Sequence, residues 1–278
     1  MAQKQHNTYM PGYGQVSHHE WRTAENSAAY LLPKLQDIAS STPYLKLLDV
    51  GAGSGTITAS LAKYTPSGTI TATDLSDEIL QKAADYAKRQ GVSNIRFEQA
   101  NIYELSKQYG SESFDVVHSH QVLCHLDDPV SALSEMLKVT KSGGVVAVRE
   151  SDLRMWNCYP DFPEIEASHK LQIAVHEASG GSSTVGPQLV SFAMKAGAKR
   201  EQITATMGAW CHSTPEDRKM WSGALAVRLR NGEMRKKAVS IGVSTEAEMD
   251  AMADAWEKWA ATEDACFGSM HGEVLVEK

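Results

Sequence analysis

Cysteine is scarce in this sequence, and a long apolar run is absent from it. The 4 cysteines among 278 residues lie far apart, so we expect no disulfide framework. No window approaches the roughly 20 apolar residues that a membrane-spanning helix needs, and the polar start has no apolar signal core. These absences predict a cytoplasmic protein with reduced thiols and no membrane partner.

Positive charge is also in short supply. Lysine and arginine number 27 against 34 aspartates and glutamates, which gives a formal net charge of −7. Because proteins bind nucleic-acid phosphates through clustered lysine and arginine, this balance argues against a nucleic-acid partner. With 42% hydrophobic residues, the chain can still bury a full core.

The most informative segment is an apolar stretch that runs into three closely spaced glycines, at 47–55. The apolar residues are typical of a buried parallel strand, and helical spacing begins at Thr56. The glycines therefore lie in a strand-to-helix turn. Without Cβ atoms, Gly51, Gly53 and Gly55 can take positive φ and let a ligand lie against the main chain beside the helix start.

Two carboxylates accompany this loop. The β-branched stretch 69–73 leads to Asp74, about 20 residues beyond the glycines, where a ribose-binding carboxylate would lie. Asp49 suits a ligand with a cationic amino group better than one with a pyrophosphate. Thr56 stands where the dinucleotide pattern G-x-G-x-x-G needs its third glycine, so an NAD(P)-dependent oxidoreductase is the weaker alternative.

Segments typical of strands and helices alternate from residue 47 to residue 148. Ser76 is placed to cap one helix, which Gly91 would end, and Asp128 to cap another with Pro129 at its first position. This alternation predicts an α/β fold with a doubly wound, mostly parallel sheet. Such sheets bind ligands at the carboxyl ends of their strands, and the motifs above fall at those ends.

Several segments resemble, in order, the motifs of the class I S-adenosylmethionine (SAM) methyltransferases. They are 48–55, 73–76, 96–102, 114–123 and 137–148. The resemblance covers roughly residues 20–150 and is nearest to the small-molecule group that includes the ubiquinone/menaquinone C-methyltransferases. It implies a Rossmann-like sheet of seven strands, an N-terminal helical lid, C-terminal cap insertions, and SAM as cofactor with S-adenosylhomocysteine as product.

The resemblance also implies cofactor contacts, position by position. The methionine moiety, ribose and adenine would be held by Tyr13, Asp49, Gly51, Gly53, Asp74, Leu75, Asn101 and Ile102, with His118 and Ser119 contacting the cofactor through main chain. Many members of the family have aspartate where this chain has Asn101. An amide can still pair with the amino edge of adenine.

Three regions are expected along the chain: an N-terminal lid and helix (1–45), the cofactor-binding core (46–153) and the rest of the sheet with cap elements (154–278). In the first region, the apolar spacing from Trp21 to Leu35 predicts one helix before Pro43. Beyond the core we expect an aromatic-rich loop around Trp156, strands at 203–211 and 273–276, and helices at 164–178, at 186–198 and near residues 225, 239 and 255. Segments 154–185 and part of 213–262 are expected to fold over the pocket.

Candidates for the acceptor side flank the core. His120 is the candidate catalytic residue, as a base or as a group that orients the acceptor. Trp21, Trp156 and Phe162 are candidates for the substrate pocket. The histidines of segment 118–125 lack metal-ligand spacing, so we expect no metal site. The residues expected to be structural or solvated are Cys124, His125, the tryptophans 210, 221, 256 and 259, and the basic residues of 228–237.

These observations predict a SAM-dependent methyltransferase that acts on a small-molecule methyl acceptor. In such a reaction the cofactor brings the leaving group, so the protein mainly aligns the acceptor and excludes water. The overall resemblance points to the thiomethyltransferases of dithiol natural products, such as reduced gliotoxin, and so to secondary metabolism. The alternatives are C- or O-methylation of a quinol or phenol, and a SAM-binding scaffold without turnover.

Overall fold

The computed structural model describes residues 19–278, so the predicted contact of Tyr13 lies outside the described residues. Its sheet has seven strands in the order β3-β2-β1-β4-β5-β7-β6. The strands are β1 (Lys46–Val50), β2 (Thr69–Asp74), β3 (Ile95–Gln99), β4 (Phe114–His120), β5 (Thr140–Tyr159), β6 (Ile203–His212) and β7 (Cys266–Glu277). Strand β7 runs antiparallel between β5 and β6, and the pairs from β3 to β5 are parallel. The predicted doubly wound, mostly parallel sheet is confirmed.

Eleven α-helices surround this sheet within residues 19–278. In chain order they are α1 (Ala24–Ser27), α2 (Leu32–Ser41), α3 (Thr56–Leu61), α4 (Asp77–Arg89), α5 (Leu105–Tyr109), α6 (Pro129–Val139), α7 (Pro163–Ala178), α8 (Val185–Lys195), α9 (Pro215–Arg230), α10 (Glu233–Ser240) and α11 (Glu246–Ala261). None of these helices is both long and apolar enough to cross a membrane.

Successive residues of β1 pack into two different apolar layers. Leu48 packs with Leu133 of α6 and Leu189 of α8, whereas Leu47 packs with side chains of α2 and α3. Because side chains of a strand alternate between the two faces of its sheet, helices cover both faces. This burial fixes the strand positions, and with them the loops at the carboxyl ends.

The predicted helix boundaries of the core are confirmed. Ser76 Oγ accepts a hydrogen bond from the backbone N–H of Ile79 at the start of α4, and Asp128 accepts one from Ser131 at the start of α6. Both bonds satisfy backbone donors that a helix start leaves without partners. Gly91 follows α4 with a φ of +69°, as a helix-ending glycine should.

Two sequence-based expectations about secondary structure are wrong. The single helix expected before Pro43 is two helices, α1 and α2. Pro33 has no N–H to donate within a continuous helix, and it lies instead in the first turn of α2, where no such donor is needed. The loop expected around Trp156 is part of β5. After an irregularity in register, β5 pairs again with β7 from Trp156 opposite Ser269 to Tyr159 opposite Cys266.

Four helices of the C-terminal half form a cap with its own apolar core. Helices α7, α9, α10 and α11 pack together around Leu229, Trp256 and Trp259, and Phe267 of β7 joins the same cluster. The indole N–H of Trp256 donates to Ser168 Oγ at 2.9 Å. The cap is therefore anchored on the extended, antiparallel part of the sheet.

Candidate functional site

The glycine loop between β1 and α3 has the backbone geometry that the sequence predicted. Gly51, Gly53 and Gly55 have φ values of +71°, +55° and +72°. A Cβ on Gly51 would lie 2.4 Å from Val122 Cγ2, and one on Gly55 would lie 2.7 Å from Ala83 Cβ. Since L side chains rarely adopt these φ values, these positions favour glycine, and the loop exposes main chain without side chains there.

Asp49 and His118 form a buried pair beneath this loop. They are direct partners in the parallel β1–β4 ladder, and His118 Nδ1 lies 2.8 Å from Asp49 Oδ1. Thr58 Oγ1 donates to the other carboxylate oxygen. Because a carboxylate only accepts, Nδ1 carries the proton. His118 Nε2 is buried and has no hydrogen-bond partner in the described part of the chain.

Asp74 lies at the carboxyl end of β2 and braces the glycine loop. Its Oδ2 accepts a hydrogen bond from the N–H of Gly53 at 3.1 Å, and its Oδ1 accepts one from the N–H of Ser76 at 3.3 Å. The neighbouring Leu75 accepts from the Gln99 side chain through its carbonyl oxygen. The two bonds of Asp74 join its carboxylate to the loop and to the start of α4.

The other expected cofactor residues follow β3 or lie in β4. Asn101 accepts a hydrogen bond from the N–H of Tyr103, and Ile102 is buried. Ser119 is fully buried in β4, beside His118. In the sheet order, the ends of β3, β2, β1 and β4 therefore carry Asn101, Asp74, Asp49 and His118. The bare glycine loop and the unpartnered His118 Nε2 are compatible with a ligand such as SAM.

A continuous cavity extends from the glycine loop to the cap. From the sheet, Asp49, Gly51, Gly53, His118 and His120 contribute to its walls. From the C-terminal half it is lined among others by Trp156, Gln172, Trp210, Trp221, Arg228 and His271. The expected ribose and adenine positions, Asp74, Leu75, Asn101 and Ile102, are outside this lining, and so is Ser119.

His120, the candidate catalytic residue, faces this cavity from the end of β4. Burial, reinforced by the charges of Arg22 and Arg149, holds the pKa of His120 well below 6.5. Burial likewise lowers the pKa of His271 to about 2 and that of His125 to about 3. These three imidazoles are neutral at pH 7 and accept a proton only weakly.

The three substrate-pocket candidates are in different surroundings. Trp156 lines the cavity and stacks on His169 with ring centroids 4.4 Å apart. Trp21 packs edge-on against Trp210 and lines a second pocket, which shares Trp210 with the first. Phe162 packs against the cap core, where Lys258 lies over its ring. Of the three, Trp156 alone borders the main cavity.

Sequence reasoning missed several cavity residues of the C-terminal half. Trp210 and Trp221, which were expected to be structural, line the cavity, and the guanidinium carbons of Arg22 and Arg149 lie 5.0 Å and 5.1 Å from the Trp210 ring centroid. Arg228 and Lys237 also line the cavity, so the expectation of a solvated basic face is wrong for these two residues. No local pattern marked these positions, because antiparallel pairing and helix packing bring them together.

Cys124, His125 and His176 come together at the cavity wall. Their potential ligand atoms all lie within 4.8 Å of one another, although the sequence separates His176 from the other two. His176 Nε2 lies 3.0 Å from the carbonyl oxygen of Cys124 and donates to it. Burial and the nearby Glu150 raise the pKa of the Cys124 thiol well above 9, so this thiol is protonated.

Glu150 fixes the loop after β4, which carries Cys124 and His125. Its carboxylate is fully buried and accepts hydrogen bonds from the N–H groups of Val122, Leu123 and Cys124 at 2.8, 2.7 and 3.2 Å. Burial outweighs these bonds and raises the pKa of Glu150 to about 7. The loop after β4 thus depends on one acid that titrates near neutral pH.

Comparison with known proteins adds sequence relatives and a similar fold. A methyltransferase-domain family matches residues 41–211. An uncharacterised methyltransferase of Schizosaccharomyces pombe is 31% identical over 94% of this chain and 92% of its own length. The probable methyltransferase ltbC of Aspergillus luteorubrus is 30% identical over 99% of this chain and 98% of its own.

Among solved structures, phosphoethanolamine N-methyltransferase 2 of Haemonchus contortus superposes with a TM-score of 0.57 at 16% identity. The match covers 95% of this chain and 57% of that chain. It supports the fold assignment alone.

Proposed function

Because the chain belongs to the class I SAM-dependent methyltransferases, we propose that it methylates the sulfur of a small thiol, as in dithiol natural products. The cofactor is SAM, which supplies an activated methyl group on a sulfonium. The acceptor would occupy the part of the cavity between His120 and the cap. The observation that carries this proposal is a cavity with neutral imidazoles and arginine side chains.

The cofactor-side residues have distinct roles in this proposal. The bare backbone of Gly51 and Gly53 accommodates the methionine moiety without steric hindrance. Asp74 accepts hydrogen bonds from the ribose hydroxyls while it holds the loop through Gly53. His118, oriented by Asp49, presents Nε2 as an acceptor for the cationic amino group of the amino-acid end. Asn101, at the end of β3, would pair with the adenine edge.

The acid–base properties of the cavity favour a thiol over an alcohol. A thiol with a pKa near 8.5 is already a few per cent thiolate at neutral pH, whereas an alcohol needs a base. His120, His125 and His271 are poor bases because burial depresses their pKa values. The positive charge of Arg22, which lies in the cavity wall and acts on His120, would further stabilise a thiolate.

The proposed step is an in-line displacement. A sulfur lone pair of the acceptor forms the new carbon–sulfur bond, the sulfonium–methyl bond breaks, and its electron pair stays on the departing S-adenosylhomocysteine. The acceptor proton goes to water before or during transfer. His120 then orients the thiolate, and Trp156, Trp210 and Trp221 exclude water from the reacting atoms.

A panel of acceptors tests the proposal. Purified protein is incubated with methyl-labelled SAM and with matched aryl thiol, dithiol, quinol, phenol and amine acceptors. We expect label on the thiols, with a rate that follows the thiolate fraction of each thiol as the pH rises. Label on the quinol but never on a thiol would overturn the sulfur assignment and favour C- or O-methylation.

A variant of His120 separates its two candidate roles. If His120 orients the acceptor, His120→Asn lowers kcat modestly and leaves the pH dependence set by the acceptor thiol. If His120 is a catalytic base, the dependence of the wild-type kcat on pH should show the titration of His120, and the variant should lack that titration. Asp37→Asn, on the exposed side of α2, is a control that leaves both readouts unchanged.

A further inference from the structure

Arg228 lies in the cap wall of the cavity and has no counterion within residues 19–278. It is half-buried on α9 and lines the cavity. Within residues 19–278 its guanidinium has no hydrogen bond and no ion pair. By contrast, Arg230, two positions along the same helix, contacts both Asp254 and Glu257 at 2.5 Å.

The carboxylates that line the same cavity are already engaged. Asp49 is held by His118 and Thr58. Asp152 pairs with Arg154 at 2.7 Å, and Glu233 pairs with Lys236 at 2.8 Å. None of these carboxylates therefore neutralises Arg228 in the described part of the chain.

An arginine cannot escape this situation by losing its proton. Burial lowers the pKa of Arg228, but a guanidinium stays charged throughout the physiological range. A desolvated charge with no partner costs free energy, and proteins normally pair such groups. An arginine that lines a cavity and has no counterion among the described residues therefore indicates a ligand that brings the opposite charge.

Neutral donors of the cap face the same space. Gln172 Nε2 and Trp221 Nε1 are buried without hydrogen-bond partners among the described residues, and both residues line the cavity. Arg228 lies close enough to His125 and His176 to contribute to the lowering of their pKa values. Lys237 of α10 also lines the cavity and has no ion-pair partner within residues 19–278.

We infer that Arg228 is the specificity residue for a carboxylate on the methyl acceptor. The planar guanidinium matches a carboxylate through two parallel hydrogen bonds, and the amide of Gln172 and the indole of Trp221 can donate further ones. Lys237 adds positive charge on the same side. The inference rests on the proposed function and refines it: the acceptor is a small thiol whose far end is a carboxylate anchored to the cap.

Binding of a matched pair of ligands tests this subsite without catalysis. Calorimetry in the presence of saturating S-adenosylhomocysteine compares 4-(methylthio)benzoate with its neutral amide, 4-(methylthio)benzamide. For wild type we expect the carboxylate to bind roughly 10–100-fold more tightly, as charge-assisted hydrogen bonds allow. Arg228→Gln should remove this preference, Arg228→Lys should keep part of it, and Arg230→Gln should leave it intact.

Folding of the variants is checked by their affinity for S-adenosylhomocysteine and by thermal unfolding. Arg228→Gln should not lower the Tm without ligand, because it removes an unpaired charge. 4-(Methylthio)benzoate should raise the wild-type Tm, and the amide should do so much less. Equal binding of acid and amide by wild type, or an unchanged preference in Arg228→Gln, would overturn the subsite.

Methylation and binding assays together separate the carboxylate subsite from the choice of acceptor atom. If wild type methylates 4-mercaptobenzoate and 4-mercaptobenzamide with the same KM, sulfur methylation stands and the carboxylate subsite is wrong. If neither thiol is methylated but the acid still binds to wild type more tightly than to Arg228→Gln, the subsite stands and the acceptor atom is wrong.

Discussion

The imidazole of His118 donates to the carboxylate of Asp49 across the first and fourth strands, at an Nδ1–Oδ1 distance of 2.8 Å. The two side chains are only 1% and 3% exposed, and their residues are direct partners in the ladder. Each therefore determines the orientation of the other. His118 and Asp49 both line the cavity beside the glycine loop.

Breaking this pair should affect stability and cofactor binding together. Asp49→Ala leaves a buried imidazole donor without its acceptor, so we expect the free energy of unfolding to fall by about 1–3 kcal/mol. Affinity for S-adenosylhomocysteine should fall as well, because Nε2 is no longer oriented. Chemical denaturation and calorimetry measure the two effects. A double-mutant cycle of Asp49→Asn and His118→Gln should give a coupling energy of at least about 0.5 kcal/mol.

Asp115, near the other end of β4, provides the control for that experiment. It binds Lys46 N and Lys141 Nζ, outside the cavity lining. Asp115→Asn should not weaken cofactor binding, because Asp115 lies away from the carboxyl ends of the strands. An equal loss of affinity in Asp115→Asn and Asp49→Asn would contradict the assigned role of the buried pair.

Gly51→Ala should weaken cofactor binding, because the added Cβ causes a steric clash in the loop in addition to backbone strain. The added Cβ lies at a φ of +71° and would meet Val122 Cγ2. Gly91→Ala is a matched control, because Gly91 has a φ of +69° with no atom within 4 Å of an added Cβ. Both variants should lose roughly 1–2 kcal/mol of stability from left-handed strain, and only Gly51→Ala should lose affinity for S-adenosylhomocysteine.

The steric part of this effect is open to a direct check. Val122→Ala removes the methyl groups that an alanine at position 51 would meet. The double variant Gly51→Ala/Val122→Ala should therefore regain part of the lost stability, relative to the sum of the two single changes. Simple additivity of the two changes would show that the contact with Val122 is not the cause.

Asp74→Ala should reduce affinity for the cofactor strongly. Two hydrogen bonds to a charged acceptor, worth about 1.5–3 kcal/mol each, would be lost to the ribose, with some recovered by water. The loop would also lose the bond from Gly53 N–H, so the entropic cost of ordering it would rise. Calorimetric titration with SAM is the measurement, and exposed Asp37→Ala is the control. Unchanged affinity in Asp74→Ala would contradict the role of Asp74 in binding the ribose.

Glu150 should make stability fall as the pH rises toward neutrality. Its pKa in the folded protein is about 7, against 4.5 in its ordinary state, so the folded state holds the proton more tightly than the unfolded one. The resulting stabilisation is fully present below pH 4.5 and is lost as the pH rises through 7. Its upper limit is on the order of 3 kcal/mol.

Comparison with Glu150→Gln isolates this contribution, because the other groups titrate in both proteins. The free energy of unfolding of wild type, minus that of the variant, should decrease between pH 5 and pH 8. Denaturant titrations at half-unit steps measure the difference. A difference that stays constant, or grows, over this interval would show that Glu150 is ionised throughout and that its backbone hydrogen bonds outweigh burial.

Local sequence patterns alone predict the residues that we propose for the cofactor side of the site. Gly51, Asp74 and Asn101 follow or end strands that are recognisable from local apolar patterns, and parallel strands of one doubly wound sheet must bring their carboxyl ends to one edge. Helix starts at Ser76 and Asp128 were equally local, because a capping side chain acts within three residues. These features needed no knowledge of which distant segments touch.

The residues that we propose for the acceptor side are brought together only by long-range packing. Trp210, His271 and Arg228 reach the cavity through the antiparallel β5–β7–β6 pairing and the packing of the cap helices, and neither is encoded in a short sequence window. The pair of Asp49 and His118 likewise depends on β1 lying beside β4. Local periodicity reports which side chains are buried. Long-range register decides which buried side chains meet, and it also decides whether an arginine on a cap helix faces water or lines the cavity.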